Sequence, residues 1–377
     1  MRREIVCIRA DRTVTNRKFQ HFLVSHSLQP FHSMKTAVCT LFEGHYHYGV
    51  AGLVNSLSAA GYQGTVWVGH RGPLPSWIVN GNGFNAITKC LQVTPTIQLQ
   101  TVELNPPVSL TFYKPTFMLD VLERLAPDVG AVSYMDPDMV VKCDWTAIEQ
   151  WVTPDGVALV EDLNWSMPSH HPKRARWQAF FAGYGEKPVR PLERYYNAGF
   201  VGVARAQIDV LRAWQRICAI VSTHSGGSLQ QRRVGERDHL FHSADEDALN
   251  FTLSLSTTRL ETSGPEAMDL APGGKHLSHA VGSFKPWQGR HVRRALQGKP
   301  PNVAGEWFYR FAAGPLLPFS PLKLAKRKVA MRVALFLGAL YTVALAVTYV
   351  LFARWRRRTV STRKQARGFP AFEMTGY

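Results

Sequence analysis

Val132-Ser133-Tyr134-Met135-Asp136-Pro137-Asp138-Met139-Val140-Val141 decides how this chain is read. Apolar residues run into two carboxylates one residue apart and then resume, the pattern of a buried strand that delivers acidic side chains to its carboxyl end. Carboxylate oxygens are hard ligands, suited to Mn²⁺ or Mg²⁺ held through one or two Asp side chains plus the phosphates of a substrate. Pro137 biases Asp136 toward extended backbone and stiffens the turn. A lone Asp-x-Asp is most often a solvated turn, so the pair gains meaning only from what the rest of the chain brings to it.

Upstream, the run 36–42 has strand length, and Glu43-Gly44-His45-Tyr46-His47-Tyr48 follows it. Val50, Leu53, Val54 and Leu57 then recur at helical spacing, with Gly61 as a stop. In an open α/β sheet ligands sit at the carboxyl ends of strands, so the polar and aromatic loop Glu43 to Tyr48, with Phe42 before it, is a candidate to cover a base or ribose, against the plainer reading of a connecting loop. Further strands are expected at 65–68 and 96–102, a Gly- and Pro-rich loop over 72–85, and a helix through Phe117, Leu119, Val121 and Leu125. Lys114, just before that helix, is a candidate phosphate contact, though a solvated lysine is the commoner case.

Downstream, the short apolar run 156–160 ends in Glu161-Asp162, so acidic groups again sit at a strand exit. The polar, Pro- and aromatic-rich stretch 166–194 reads as a lid or acceptor-facing segment. It closes on Tyr196-Asn197-Ala198-Gly199-Phe200, where Asn197 offers an amide donor and acceptor and Gly199 permits close approach of backbone. Ile208, Leu211, Trp214, Ile217 and Val221 form the apolar stripe of a core helix. Asp245-Glu246-Asp247 opens the next helix, where the macrodipole alone favours acids. His279-Ala280-Val281-Gly282-Ser283-Phe284-Lys285-Pro286-Trp287 combines a metal-capable imidazole, a glycine that admits a ligand and a lysine that neutralises phosphate. Alternating strands and helices make the fold class α/β.

The net charge of +17 over 377 residues suggests nucleic acid until it is divided along the chain. Residues 319–377 hold 12 Lys/Arg and one acid, which leaves only +6 for the rest. These cations flank an apolar span rather than interleave with aromatics on a soluble face, so nucleic-acid binding is not expected. Five widely spaced cysteines without a Cys-x-x-Cys pair exclude a disulfide scaffold or zinc ribbon and fit a reducing compartment. The apolar run behind Arg2 and Arg3 is too short for a signal-peptide core. Residues 333–353 carry no charge, and at about 1.5 Å per residue they are long enough to cross a hydrocarbon layer of about 30 Å. Basic collars at both ends favour a membrane helix over a core helix but leave its orientation open; a shallow helix on an anionic leaflet is the alternative.

In order along the chain, Tyr134-Met135-Asp136-Pro137-Asp138, Tyr196-Asn197-Ala198-Gly199-Phe200, Asp245-Glu246-Asp247-Ala248-Leu249-Asn250 and His279-x-x-Gly282-x-x-Lys285-Pro286-Trp287 resemble the motifs of the family 8 glycosyltransferases. These are the retaining enzymes of the GT-A fold that include glycogenin and the lipopolysaccharide galactosyltransferases. The resemblance spans roughly 36–287, and the His-to-Trp signature is its most specific part. It implies a Rossmann-like mixed sheet sandwiched by helices, with Asp136, Asp138 and His279 ligating Mn²⁺ over the diphosphate of a UDP-hexose. Lys285 and the backbone at Gly282 would hold the same phosphates, and Asn197, Asp162 and Asp245 would contact the transferred sugar. Glu246 stands where many members carry Gln, which sharpens the choice between front-face transfer and double displacement. Pro137 is not the commonest filling of the Asp-x-Asp.

The expected organisation is an N-terminal segment 1–35, a catalytic domain 36–290, a basic juxtamembrane linker 291–332, a membrane helix 333–353 and a basic tail 354–377. The expected activity is Mn²⁺-dependent hexosyl transfer with retention, from a nucleotide sugar to a glycan or lipid-linked acceptor. The enzyme would be anchored in membrane lipid by its C-terminal helix, with its catalytic domain cytoplasmic. The competing expectation is a membrane-tethered binder of the same fold that has lost the chemistry.

Overall fold

Strand β1 (Thr36–Glu43) is buried on both faces except at its last residue. Ala37, Cys39 and Leu41 point into one apolar cluster and Val38 and Phe42 into another, as the two-residue period of a central strand requires. A computed structural model describes residues 34–163, 166–224 and 239–365 of the chain. The segment 1–33 and the end of the basic tail, 366–377, lie outside the described residues.

After β1 come a short 3₁₀ turn (Gly44–Tyr46), helix α1 (His47–Ala59), β2 (Gly64–Arg71) and the brief helix α2 (Ser76–Val79). Strands β3 (Phe84–Asn85), β4 (Cys90–Thr94) and β5 (Ile97–Glu103) form one end of the sheet. Helix α3 (Lys114–Asp120) leads to β6 (Ala131–Met135), β7 (Met139–Val141), α4 (Trp145–Trp151) and β8 (Gly156–Glu161). Helix α5 (Pro172–Ala182), inside the stretch expected to be a lid, precedes β9 (Tyr196–Ala204), α6 (Ile208–His224), α7 (Ala244–Ser254) and β10 (Arg259–Ser263). The chain ends in β11 (Leu277–His279), α8 (His291–Leu296), α9 (Val303–Phe311) and α10 (Pro321–Gln365).

Nine strands form one mixed sheet in the order β10-β8-β9-β6-β1-β2-β5-β4-β3. Strands β6, β1, β2 and β5 are parallel, and β9 runs antiparallel between β6 and β8. Residues of α3, α5, α6 and α7 pack on one face and those of α1, α2 and α4 on the other. The fold is thus the mixed α/β sandwich that the strand and helix pattern predicts. Starting from β1, the chain builds outward through β2 and β5, then returns across β1 to lay down β6 on its other side. Such a reversal opens a crevice at the carboxyl ends of the two strands where it occurs.

The segment 291–332 is a packed layer of helix. Trp287, Phe308, Tyr309, Phe319, Leu324 and Met331 make a third apolar cluster, and Asn55 of α1 bonds to the carbonyls of Phe311 and Leu316. Within α10, 321–350 is long and apolar enough to cross a membrane and is mostly exposed. Its first turns are not free, because Met331, Ala334 and Gly338 are buried against the domain.

Candidate active site

The crevice between β1 and β6 is a cleft of about 620 Å³. Leu41, Phe42 and Glu43 line it from β1, and Tyr134, Asp136 and Asp138 from β6 and the turn that follows. Strand β9 enters from the opposite direction, so its first residues lie beside the last of β6: Met135 pairs with Phe200, and the Asp136 amide donates to the Gly199 carbonyl at 2.7 Å. Strand β8 ends at the same edge, with Val160 opposite Asn197. Three strand exits and one strand entry therefore meet where the two aspartates emerge.

His279 arrives by register. Strand β11 pairs antiparallel with β7, putting His279 opposite Met139, the residue after Asp138, and the Ala280 amide donates to the Asp138 carbonyl at 3.0 Å. The imidazole Nε2 lies 3.2 Å from Asp138 Oδ1 and 3.7 Å from Asp136 Oδ2. Ligand atoms of Asp136, Asp138 and His279 all fall within 4.8 Å of one another, so the three form a group that can hold a metal ion. The ring packs so tightly on Gly199 that a Cβ there would stand 2.5 Å from His279 Cε1. Gly49 does the same for the turn, since a Cβ on it would meet the Pro137 carbonyl at 2.2 Å. Hence α1 packs directly on the Asp-Pro-Asp backbone.

Two lysines answer the acids. Lys285 bonds to Asp138 and to the Ala280 carbonyl, and it is buried. Burial by itself opposes ionisation of Asp138, but Lys285 and His279 outweigh it and hold the carboxyl far below the usual carboxylate range. Lys114 is buried as well, and its ammonium meets Asp136 Oδ1 at 3.1 Å, Asp245 Oδ2 at 3.0 Å and the Ala198 carbonyl at 3.0 Å. All three of its protons are engaged, so it ties β6, α7 and β9 together and has none spare for a phosphate.

Beyond the metal group, Asn197 organises a second set of acids. Its Nδ2 donates to Asp162 Oδ2 and Glu246 Oε1, each at 2.9 Å, while its Oδ1 accepts from the Gly199 amide at 2.8 Å. Burial, with Asp245 and Asp162 nearby, pushes the Glu246 carboxyl well above its ordinary value. Asp247, one residue on, points away into the core, where Lys173, Tyr195 and the Ser243 amide hold it and so fix the first turn of α7.

Of the residues nominated from sequence, Phe42, Glu43, Lys114, Asp136, Asp138, Asn197, Asp245, Glu246, His279, Gly282 and Lys285 line the cleft. Asp162 and Gly199 support its wall through Asn197 and His279. Tyr48 lies elsewhere, stacked on Phe319 at 4.8 Å between ring centres. Tyr46, within the nominated loop 43–48, lines the cleft too, and cleft residues not nominated include Ser109, Leu110, Thr111, Tyr134 and Ser243. Tyr134, whose hydroxyl donates to Asp136 Oδ1 at 2.9 Å, was within reach, because positions two apart on a strand share a face.

No protein-family model and no curated protein matches the chain. Among solved structures, the apo form of the bifunctional glycosyltransferase WbbM superposes with a TM-score of 0.48 at 14% identity, over 80% of this chain and 53% of that one. The chain thus spans about half the length of that protein, and at this level of likeness the function has to be argued from the cleft itself.

Proposed function

We propose that the chain is a divalent-cation-dependent glycosyltransferase that moves a hexose from a nucleotide sugar, a UDP-hexose, to a glycan or lipid-linked acceptor with retention of configuration. The observation that carries this reading is the convergence of Asp136, Asp138 and His279 with Lys285 in one wall of a cleft whose other wall holds Asn197, Asp245 and Glu246.

Asp136, Asp138 and His279 would hold the divalent ion, which would supply Lewis-acid charge for a diphosphate leaving group. Lys285, already beside Asp138, adds a second cation at the same place. Gly282 has a positive φ of 91° and open space around it, so its backbone is free to approach a phosphate oxygen. Leu41, Phe42, Ser109, Leu110 and Thr111 offer an apolar and hydroxyl-lined end to a nucleoside. Asn197 holds Asp162 and Glu246 within one amide's span of each other, an oxygen-rich group suited to the hydroxyls of a sugar. Glu246 accepts from Asn197 through Oε1, as the amide oxygen of the Gln found at this place in many family 8 enzymes could. The helix 321–350 then anchors the enzyme in the membrane, with the cleft on the cytoplasmic side where nucleotide sugars are made.

Calorimetric titration of UDP into the full chain, with and without Mn²⁺, followed by a UDP-release screen across UDP-hexoses, tests the reading. Mn²⁺-dependent binding and release from one donor are expected. Binding without release from any donor supports the tethered binder instead, and absence of UDP binding with Mn²⁺ present refutes both.

A further inference from the structure

A second groove of about 280 Å³ lies behind the wall of the cleft, and Val281, Gly282 and Ser283 line both cavities. The strap 281–286 therefore presents one side to the metal group and the other to this groove. Phe284, His291, Arg294, Lys299, Pro300 and Met331 are among the other residues that line it, and the lining as a whole is drawn from the strap, α8, the loop before α9 and the starts of α9 and α10. No acidic side chain lines it. Arg294 is fixed with its guanidinium 4.1 Å above the Phe284 ring, and among the described residues neither Arg294 nor Lys299 has a carboxylate within 4.0 Å. The bias is regional, because 270–305 contains six Lys/Arg and no acid. Two unpaired cations in a concave, acid-free site are suited to a phosphate.

The position of the groove identifies the source of that phosphate. A helix needs about 20 apolar residues to cross a bilayer, and counting back from Arg354 places the near boundary close to Ala334. At this level α10 is still packed on the domain: a Cβ on Gly338 would stand 2.5 Å from Pro300 Cβ, and the Tyr341 hydroxyl is 3.3 Å from the Cβ position of Gly298. Gly338 and Tyr341 lie about 6 and 10 Å past that boundary, so the loop 298–301 packed on them dips into the bilayer's interfacial layer, from which the exposed Lys299 chain reaches up to the headgroups. Exposed Leu296, Val303 and Phe336 are the apolar side chains such an immersion requires.

We infer that the groove between the 281–286 strap and helices α8, α9 and α10 seats the phosphate of a lipid-borne acceptor. Its glycan then passes over the exposed tip of the strap at Val281 and Gly282 into the transfer cleft. This deepens the proposed transferase by naming its acceptor class, and it rests on that reading. Arg294 and Lys299 bind the acceptor's charge, and the strap carries its position to Lys285 and His279.

The test uses the full chain in phosphatidylcholine nanodiscs containing a long-chain alkyl monophosphate that bears a photoreactive diazirine. Labelling is mapped by mass spectrometry, and Mn²⁺-dependent UDP binding is measured in parallel. Labelling is expected within 281–302 and to fall at least tenfold in Lys299→Glu and again in Arg294→Glu, with UDP binding unchanged within twofold. Lys299 is exposed, so its reversal leaves the fold intact. Labelling elsewhere, labelling indifferent to both variants, or equal competition by phosphatidylglycerol or inorganic phosphate overturns the assignment. Wild-type protein that labels as expected but binds no UDP would overturn the transferase and leave the phosphate site standing.

Discussion

Replacing Gly199 by Ala changes no ligand and no charge, yet it should remove metal binding. The added Cβ would stand 2.5 Å from His279 Cε1, 2.9 Å from its Nδ1 and 2.8 Å from Asn197 Oδ1. Restoring ordinary contact at 3.4 Å requires the ring to retreat by about 0.9 Å. Its Nε2 already stands 3.2 Å from Asp138 Oδ1, so a shift of that size disturbs the arrangement of the three ligand groups. Metal–ligand distances tolerate changes of about 0.2 Å, so His279 would be lost as a ligand. Damage of this kind lowers metal affinity by roughly 10- to 100-fold or more. Overpacking costs about 1–3 kcal/mol, and at about 2–4 °C per kcal/mol for a domain of this size Tm should fall by roughly 2–12 °C. Titrating Mn²⁺ with UDP present, alongside thermal unfolding in EDTA, separates the two effects. His279→Ala should lose the same affinity without the crowding. A Gly199→Ala protein that binds Mn²⁺ and UDP like the wild type would refute both the tight packing and the role of His279.

Asp138→Asn should abolish UDP release, and stability should fall too because Lys285 keeps its charge in a buried site; full activity in a donor-hydrolysis assay would remove the metal role. Lys114→Met leaves Asp136 and Asp245 facing each other without their shared cation, and a loss of about 3 kcal/mol or more is expected in urea unfolding; a change below about 1 kcal/mol would show the lysine to be dispensable. Glu246 has a folded-state pKa above its ordinary 4.5, so the native state holds this proton more tightly than the unfolded chain, and the carboxyl costs stability as pH rises above that value. Glu246→Gln should therefore raise Tm in EDTA more at pH 7.5 than at pH 4.5, and an equal or opposite difference would count against the buried, acid-crowded site. Truncation after Ser320 should destabilise the domain by about 3–6 kcal/mol relative to truncation after Gly338, because it removes Leu324 and Met331 from the cluster around Trp287 and Phe308; equal denaturant midpoints would show that the first turns of α10 merely lie against it.

Much of the cleft was legible before any coordinates. Strand and helix periods located β1, α1, β6, β8, α6 and α7, because burial on a sheet or helix face leaves a pattern with a fixed period in the chain. Residue types at strand exits marked Asp136, Asp138 and Asp162, since a hard cation requires oxygen ligands, whereas a role toward a sugar for Asn197, Asp162, Asp245 and Glu246 came only from the resemblance to family 8. Tyr48 was nominated for adjacency alone, and adjacency does not say which way a side chain turns at the start of a helix. Lys114 was nominated as a charge facing solvent or phosphate. Its partners, Asp245 and the Ala198 carbonyl, lie far along the chain and meet it only through the packing of α3 on α6 and α7.

The sequence by itself determined the alternation of elements, the acids at strand ends and the apolar length of the last helix, because each is a local property of composition and period. Only the tertiary structure decided that His279 faces Asp138, since that depends on the register between β7 and β11, which are separated by more than a hundred residues. It alone also decided that the glycines at 49 and 199 are contact surfaces, that 291–332 is a packed layer, and that a cationic groove joins the cleft to the helix 321–350. Contacts between distant segments are set by how faces fit once the chain has collapsed, and that fit leaves no period in the sequence to be read.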